Sequence, residues 1–440
     1  MHTPVIAKDE VAARTRRRIS RRLVPYLLVV FVISYLDRVN LGYANLEMTK
    51  DLKFDDQIFG TGAGIFFVGY FLLEIPGTIL VETWSAKKWI ARIMITWGIL
   101  ASAMGFIHTQ PQFYWIRFLL GAAEAGFFPG VIVYLTHWFR KEDRAKTFAL
   151  FLAAVPISNI IGSPVSGLLL NIRWLGMEGW RWLFILEGFP AIVFGVITIF
   201  YLTDWPHQAK WLREDEKQWI TRELSEEKRQ ISPLSHGSVL KTIAHPAVII
   251  LAVTYFLILS GTYGFNFWLP TILKRLSGLP NLMVTLLTVL PYCVGLAAMM
   301  IVGWSSDRKM ERRWHTSISM LIAGFALFLS MMTQNHPTVA LLAFCIAAIG
   351  LYSFFAPFWG LPTSFLTGTT AAAAIGLINS IGNLGGFSGP YVVGWLTKRT
   401  GSFSAGVFYL SASAAVAGMA VLLAKPEKPS AVIIGDHNKQ

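Results

Sequence analysis

The chain has 440 residues, of which 54% are hydrophobic and only 14% are charged. Soluble domains usually carry about a quarter charged residues, so this composition disfavours a water-soluble enzyme or binding module. The formal net charge is +13, which in a soluble protein would suggest a nucleic-acid partner. The placement of the basic residues gives a different explanation.

Basic residues are concentrated at every second break between apolar stretches, which is the positive-inside pattern of cytoplasmic loops. We therefore predict a multi-pass protein of the cytoplasmic (inner) membrane, with both termini in the cytoplasm and no nucleic-acid partner. The clusters are Arg14, Arg16, Arg17, Arg18, Arg21 and Arg22; Lys87, Lys88 and Arg92; Arg140, Lys141, Arg144 and Lys146; and Arg308, Lys309, Arg312 and Arg313.

Apolar stretches of about 20 to 28 residues follow one another along the chain, and each could cross a hydrocarbon core of about 30 Å as a helix. Backbone polar groups in lipid must be bonded within the segment, and β-barrel strands would be about half as long. We therefore predict an all-α membrane protein with twelve transmembrane helices. The predicted spans are 23–45, 57–82, 88–108, 112–138, 145–170, 180–203, 245–272, 281–304, 315–333, 337–362, 371–396 and 402–424.

A long polar segment divides these spans six and six, and its charged residues favour a surface helix. Pro164 in span five and Pro390 in span eleven occupy corresponding places in the two halves. Two repeats with a site at their interface are typical of transporters, although a chance match of a few residues is the alternative. The predicted units are a cytoplasmic tail at 1–22, a six-helix bundle at 23–203, a cytoplasmic linker at 204–243, a second six-helix bundle at 244–424 and a cytoplasmic tail at 425–440.

Ionisable side chains inside apolar spans are costly and by default indicate function. Span one contains Asp37 and Arg38, and span four contains Arg117 and Glu124. Arg117 and Glu124 are seven residues apart, so they share a helix face on which Gly121 lies between them.

These residues suggest a way to couple an anion to protons. Arg38 and Arg117 present guanidinium groups suited to a carboxylate, and Asp37 and Glu124 are candidate proton carriers. A substrate that takes the arginine from its neighbouring carboxylate makes that carboxylate easier to protonate. The alternative is that both pairs are structural salt bridges. For Glu74 and Glu187 a structural role is the preferred interpretation, since spacing offers no basic partner.

Further polar and aromatic side chains at mid-span depth could bind substrate, but each could equally serve helix packing. These are Tyr35, Tyr70, Asn159, Asn266, Trp359, Ser364 and Asn383. After span eight, Asp307, Arg308 and Arg312 could form a cytoplasmic gate or simply a basic loop that anchors the chain.

Three segments resemble the anion:cation symporter family of the major facilitator superfamily: Ser34–Asn40 (SYLDRVN), Arg117–Gly130 (RFLLGAAEAGFFPG) and Gly179–Phe184 (GWRWLF). The resemblance extends over nearly all of residues 20–425. It is strongest to the bacterial tartrate and aromatic-acid permease branch, on the segments Trp89–Met94, Glu311–His315 and Ile378–Gly386.

The resemblance implies alternating access between two six-helix bundles, proton symport with Asp37 and Glu124, and anion binding by Arg38 and Arg117. It adds Tyr35, Tyr70, Trp359 and Asn383 as pocket members. The loop after span two departs from the superfamily pattern, because Glu82 and Thr83 stand where an Asp and a basic residue are expected. This departure argues against an inter-bundle lock at that loop.

The predicted function is a proton-coupled symporter that imports a small organic acid anion, such as a tartrate-like dicarboxylate, a sugar acid or an aromatic acid. Two alternatives stay open. A phosphate-linked organophosphate antiporter would favour basic residues in both halves, and a non-transporting sensor would need a signalling domain. The sequence shows no nucleophile–base cluster, so no enzyme is predicted. We expect no metal or cofactor, and a monomer in the bilayer whose partners are the anion and protons.

Overall fold

A computed structural model describes residues 5–229, 244–333, 336–365 and 368–424. The long elements in these ranges are all helices. Their bounds are α1 Val5–Asp51, α2 Asp56–Thr83, α3 Ala86–Ala103, α4 Gln110–Glu124, α5 Phe127–Thr136, α6 Lys141–Leu169, α7 Gly179–Tyr201, α8 Glu214–Arg229, α9 Pro246–Ser277, α10 Asn281–Lys309, α11 Arg313–Met332, α12 Pro337–Ser353, α13 Phe355–Phe365, α14 Gly368–Thr400 and α15 Ser404–Leu423.

Helices cover all twelve predicted spans, and spans four and ten are each divided into two, as α4–α5 and α12–α13. Among the described residues, ten helical segments are long and apolar enough to cross a membrane. In the part of the chain that was searched, Ala153–Leu169 of α6 is a shorter apolar helical segment, and α14 is not among the ten. The predicted all-α membrane protein is confirmed, whereas the count of twelve spans stays a prediction.

The predicted N-terminal tail and linker contain helices that bind each other. Helix α1 begins at Val5, well before the first predicted span, and α8 lies within the linker. Arg14 and Arg18 of α1 contact the buried Glu216 carboxylate of α8, at 2.9 and 2.7 Å. Burial by itself would raise the pKa of Glu216, but the Arg213 N–H and these two guanidinium groups hold that pKa below its usual range. The contact fixes the long N-terminal extension of α1 against the linker helix.

The helices before the linker, α1–α7, form the first half of the molecule, and the helices after it, α9–α15, form the second half. Three prominent helix pairs join the halves: α2 with α14, α6 with α10, and α1 with α9. Side chains in the middle of these helices therefore face the space between the two halves, where the predicted site belongs.

One end of the molecule is closed by polar contacts between the halves. We call it the outer end, after the orientation predicted from the basic loops. Arg275 contacts Asp56 at 2.5 Å, and Lys398 contacts Asp55 at 2.9 Å. Deeper in, the Asn45 amide donates to the Thr271 hydroxyl at 2.8 Å.

Two glycines let α2 and α14 touch through their backbones at the outer end. A Cβ placed on Gly60 would lie 2.5 Å from the Pro390 carbonyl oxygen, and one on Gly394 would lie 2.3 Å from the Asp56 carbonyl oxygen. Real Cβ atoms do not approach so closely, so any larger residue would force the two helices apart. The glycines thus permit the tight closure of the two halves here.

Candidate functional site

A polar cavity of about 70 Å³ lies between the two halves, near the middle of α1. A single water needs about 10–15 Å³ of such space, so the cavity has room for a few waters. The first half lines it with Ser34, Arg38, Tyr70 and Glu124, and the second half with Tyr255, Tyr263, Asn379 and Asn383. The cavity therefore lies between the two halves, where a site between two repeats is expected, and it is large enough for a few waters.

Arg38 is the centre of the polar contacts in this cavity. Its Nη2 forms an ion pair with the Glu124 carboxylate, and its Nη1 donates to the Tyr263 hydroxyl at 3.1 Å. The Ser34 hydroxyl donates to the same Glu124 carboxylate at 3.3 Å. Arg38 Nε has no hydrogen-bond partner among the described residues. One buried donor of the guanidinium is therefore unsatisfied in this conformation.

Aromatic rings surround the Arg38 guanidinium. Its carbon lies 5.3 Å from the Phe66 ring centre, 5.4 Å from that of Tyr70 and 5.7 Å from that of Tyr35. Rings at such distances attract a cation through their quadrupole and limit the directions in which the planar group can turn. Arg38 is consequently held with its donors toward the cavity.

Glu124 reaches Arg38 because of two glycines in span four. A Cβ on Gly121 would lie 1.8 Å from the Phe66 carbonyl oxygen, so only glycine lets α4 approach α2 this closely. Glu124 is the last residue of α4, and Gly126 follows with φ +82°, a left-handed conformation that favours glycine. The helix break after Glu124 thus places its carboxylate at the cavity wall.

The second half contributes an amide and hydroxyl cluster that binds Glu74 of α2. The Asn379 amide donates to Glu74, and Ser380 and Asn383 do so at 3.1 and 3.5 Å. Asn379 and Asn383 also line the cavity. Glu74, whose role was interpreted from the sequence as structural, therefore connects α2 to α14 directly beside the site.

Two of the four main predicted residues do not line the cavity. Arg117 is buried between α4 and α2, where it donates to the carbonyl oxygens of Gly62 and Ala63 at 3.1 and 3.3 Å. Asp37 is only 3% exposed and accepts from the Asn40 amide at 3.3 Å. Successive residues on a helix are about 100° apart, so Asp37 faces away from the cavity that its neighbour Arg38 enters.

Some of the remaining predicted pocket residues line the cavity, and others make helix contacts away from it. Tyr35, Tyr70, Trp359 and Asn383 line the cavity. Asn159 instead donates to the Val155 carbonyl at 3.1 Å and Asn266 accepts from Tyr352 at 3.0 Å, so both serve contacts between or along helices. The side chain of Ser364 lies outside the described residues.

The predicted gate residues contact each other within the second half. Arg312 forms an ion pair with Asp307 and donates to the Ser306 hydroxyl at 3.3 Å, while Arg308 lies 5.4 Å from the Trp304 ring centre. In this conformation none of these contacts connects the two halves. The side chains of Glu82 and Thr83, at the corresponding loop of the first half, lie outside the described residues.

Sequence reasoning missed eleven residues of the cavity wall, and two of the polar ones, Ser34 and Asn379, carried a usable signal. Ser34 precedes Arg38 by four positions and Asn379 precedes Asn383 by four, which puts each on the helix face of its predicted neighbour. Tyr255 and Tyr263 had no such signal, because aromatic residues in membrane helices are usual in packing.

Comparisons with known proteins agree with this architecture. The family model of the Major Facilitator Superfamily matches residues 27–390. A protein of Agrobacterium vitis, whose name provisionally assigns it to tartrate transport, is 42% identical over 422 residues, which cover 96% of this chain and 97% of the relative. A quinolone resistance transporter of Acinetobacter baumannii is 39% identical, covering 90% of this chain and 91% of the relative.

The solved structure of a bacterial homologue of the human lysosomal transporter Spinster, inward-facing and unoccupied, has the same fold. It superimposes with a TM-score of 0.72 at 16% identity, covering 93% of this chain and 95% of that one. Fold and sequence together thus define a multi-pass membrane transporter, a class without enzymatic activity. The chain belongs to the major facilitator superfamily, and the predicted resemblance to its tartrate-permease branch is confirmed.

Proposed function

We propose that this protein imports a small organic acid anion together with protons across the cytoplasmic membrane, by alternating access of its two halves, with both termini in the cytoplasm. The observation that supports this most directly is the arrangement of Arg38 in the cavity. Its Nη2 is occupied by Glu124, its Nη1 by Tyr263 of the other half, and its Nε has no partner among the described residues. A substrate carboxylate would compete with Glu124 for this guanidinium.

That competition couples the anion to a proton. When the substrate takes Arg38, the Glu124 carboxylate loses its counter-ion in a cavity of low dielectric constant, where an unpaired charge is costly. Glu124 then binds a proton from water, and it releases that proton when the substrate leaves and the ion pair re-forms. The family resemblance implies a further proton at Asp37. The contacts of Arg117 support a role in holding α4 to α2, which is the structural alternative for that residue.

The substrate class follows from the chemistry of the cavity wall and from the relatives. Arg38 binds a carboxylate, and the Asn379 and Asn383 amides, now on Glu74, can donate to hydroxyl or carboxylate oxygens. Tyr255 and Trp359 pack edge to face at 5.0 Å and offer an aromatic surface. This set suits a tartrate-like dicarboxylate, a sugar acid or an aromatic acid.

The test is transport by purified protein in liposomes that contain a pH indicator, with tartrate, galactonate and a hydroxybenzoate as substrates. We expect an acidic outside to drive uptake of at least one of these anions, with acidification of the interior. Glu124→Gln should abolish gradient-driven accumulation but leave anion exchange. The exposed Glu142→Gln is the matched control and should behave as the wild type.

Gradient-driven accumulation by Glu124→Gln would contradict this mechanism. Transport of a quinolone without any organic acid uptake would assign the protein to drug export instead. A phosphate-linked antiporter has less support, because Arg38 is the only lysine or arginine among the described side chains that line the cavity, and a phosphate dianion favours basic groups from both halves. Exchange against internal phosphate would restore that alternative.

A further inference from the structure

A second polar cluster, centred on two carboxyl groups, lies apart from the cavity at the contact between α1 and α7. Asp37 of α1 and Glu187 of α7 are 3% and 7% exposed. The Asn40 amide donates to Asp37 Oδ1 at 3.3 Å and also faces Glu187. The Ser166 hydroxyl of α6 donates to Glu187 Oε1 at 2.9 Å. Three helices thus bury two acids around a single asparagine.

The Trp97 indole of α3 also faces Asp37, but this cluster still leaves acceptor atoms without donors. Asp37 Oδ2, Glu187 Oε2 and Asn40 Oδ1 have no hydrogen-bond partner among the described residues, although all three side chains are more than nine-tenths buried. Burying a polar atom without a partner costs free energy, and a carboxylate can only accept. A protonated carboxyl group would supply the missing donor.

The charges around the cluster lead to the same conclusion. Among the described groups that act electrostatically on Asp37, Glu187 contributes most and Glu124 of α4 comes next; both are acidic. Tyr43 of α1 lies close to Glu187, and no lysine or arginine is among the described groups that act on either acid. Two neighbouring carboxylates without a counter-ion in a low-dielectric interior cannot both stay ionised.

We propose that Asp37 and Glu187 hold one exchangeable proton between them, bridged by Asn40. The inference rests on the proposed function, since this proton would be one of those that cross with the anion. The cluster takes one proton from water while the transporter is open to one side and returns it to water on the other, and only O–H bonds form and break. Glu187, for which spacing in the sequence favoured a structural role, becomes a proton-binding residue.

A hydroxyl network connects the cluster to the second half. The Tyr43 hydroxyl lies near Glu187 and hydrogen-bonds to the Ser163 hydroxyl of α6, and Thr288 of α10 donates to Ser163 at 3.2 Å. When the halves move relative to one another, the α6–α10 contact must change. The surroundings of the shared proton therefore depend on the conformation, as a coupled proton requires.

Two substitutions with opposite expected effects test the proposal. The readouts are the pH at which the infrared C=O band of protonated carboxyl groups is half lost, and the pH at which proton-driven uptake is half-maximal. Glu187→Gln leaves Asp37 without the neighbouring negative charge that opposes its ionisation. Asp37 should then lose its proton at lower pH, so both midpoints should fall by about one pH unit. Ser166→Ala removes a hydroxyl that stabilises the ionised form, so both midpoints should rise. Thr198→Ala, in the same helix α7, should leave them unchanged.

The small Ser166→Ala change keeps the test valid if Glu187→Gln does not fold. Midpoints that stay at the wild-type value in both variants would overturn the shared proton, because a purely structural role shifts neither. Stimulation of wild-type uptake by sodium at constant pH would overturn it too, and would assign the unpaired oxygens to a metal cation. If wild-type uptake ignores the pH gradient, the proposed symport fails, yet the infrared titration still decides whether the pair holds a proton.

Discussion

Arg38 of α1 and Tyr263 of α9 are joined by a hydrogen bond of 3.1 Å that crosses between the two halves of the molecule. The guanidinium proposed to bind the anion is therefore also a contact between the two halves. Occupation of Arg38 by a substrate and the relative position of the halves cannot be independent of each other.

Tyr263→Phe should weaken substrate binding without disturbing the packing. The Tyr263 ring lies 4.5 Å from the Phe67 ring centre, a contact that phenylalanine keeps, while the hydroxyl is lost. A hydrogen bond to a charged group contributes about 1.5–3 kcal/mol, so we expect KM for the organic acid to rise about tenfold or more. Tyr409→Phe, which loses hydroxyl contacts only within the second half, is the control. Equal KM values in the two variants would argue against a role for Tyr263 at the site.

Glu74→Ala should destabilise the protein more than Glu74→Gln. Alanine leaves three donors of α14 without their acceptor, whereas glutamine keeps one acceptor oxygen for them. Loss of charged hydrogen bonds at a buried site costs about 1–3 kcal/mol, which should appear as a lower melting temperature in a thermal-shift measurement. A melting temperature that falls equally in both variants would show that the negative charge, and not the hydrogen-bonding geometry, is what α14 requires.

Removal of both outer ion pairs should open the outer end more often. In a protein whose Cys293 and Cys345 are replaced by serine, a cysteine at the buried position Leu46 reports this opening through maleimide labelling. Each exposed pair contributes about 0.2–1 kcal/mol, so Arg275→Ala with Lys398→Ala should raise the labelling rate a few-fold. An unchanged rate would mean that the backbone contact of α2 with α14 alone keeps this end closed.

The same reporter, with both ion pairs intact, gives a pH prediction. Burial by itself would raise the pKa of Asp55. The Ile58 N–H and the Lys398 ammonium group outweigh this effect and hold the pKa of Asp55 below its usual range. The contribution of Asp55 to closure is therefore complete at neutral pH and is lost only as the pH falls through this lowered pKa, below the usual value of about 3.9. Because maleimide reacts with the thiolate, the rate at each pH is divided by that of an exposed cysteine at the same pH. This ratio should be the same at about pH 7 and about pH 5; a rise as the pH falls would show that another group controls closure.

Gly121→Ala should cost stability and transport together. The added methyl group would meet the Phe66 carbonyl oxygen at 1.8 Å and push α4 away from α2, which moves Glu124 from Arg38. Overpacking of this kind costs about 1–3 kcal/mol or more, measurable as a lower melting temperature. Gly376→Ala is the matched control, because nothing lies within 4 Å of its added carbon. There alanine should be neutral or stabilising, since glycine inside a helix is unfavourable by about 0.5–1 kcal/mol.

The helices could be predicted from the sequence because lipid leaves few other ways to satisfy the backbone. The site could be predicted only in part. Arg38 and Glu124 stood out as charges in apolar spans, and the structure brings them together. The sequence did not show which neighbouring helix each charged side chain faces. Arg117 shares a helix face with Glu124, but the approach of α2 at Gly121 turns it to backbone carbonyls, and Asp37 faces α7 because one helical step separates it from Arg38.

The backbone contact of α2 and α14 at Gly60 also sets a scale for motion. Glu74 lies fourteen residues further along α2, or about 21 Å at 1.5 Å per residue. If the glycine contact acts as a fulcrum, α2 is the arm of a lever, and a tilt of about 15° would carry Glu74 about 5 Å sideways. That travel exceeds the reach of the hydrogen bonds that Asn379, Ser380 and Asn383 donate to Glu74. A modest rocking of rigid helices is thus enough to part the halves beside the site.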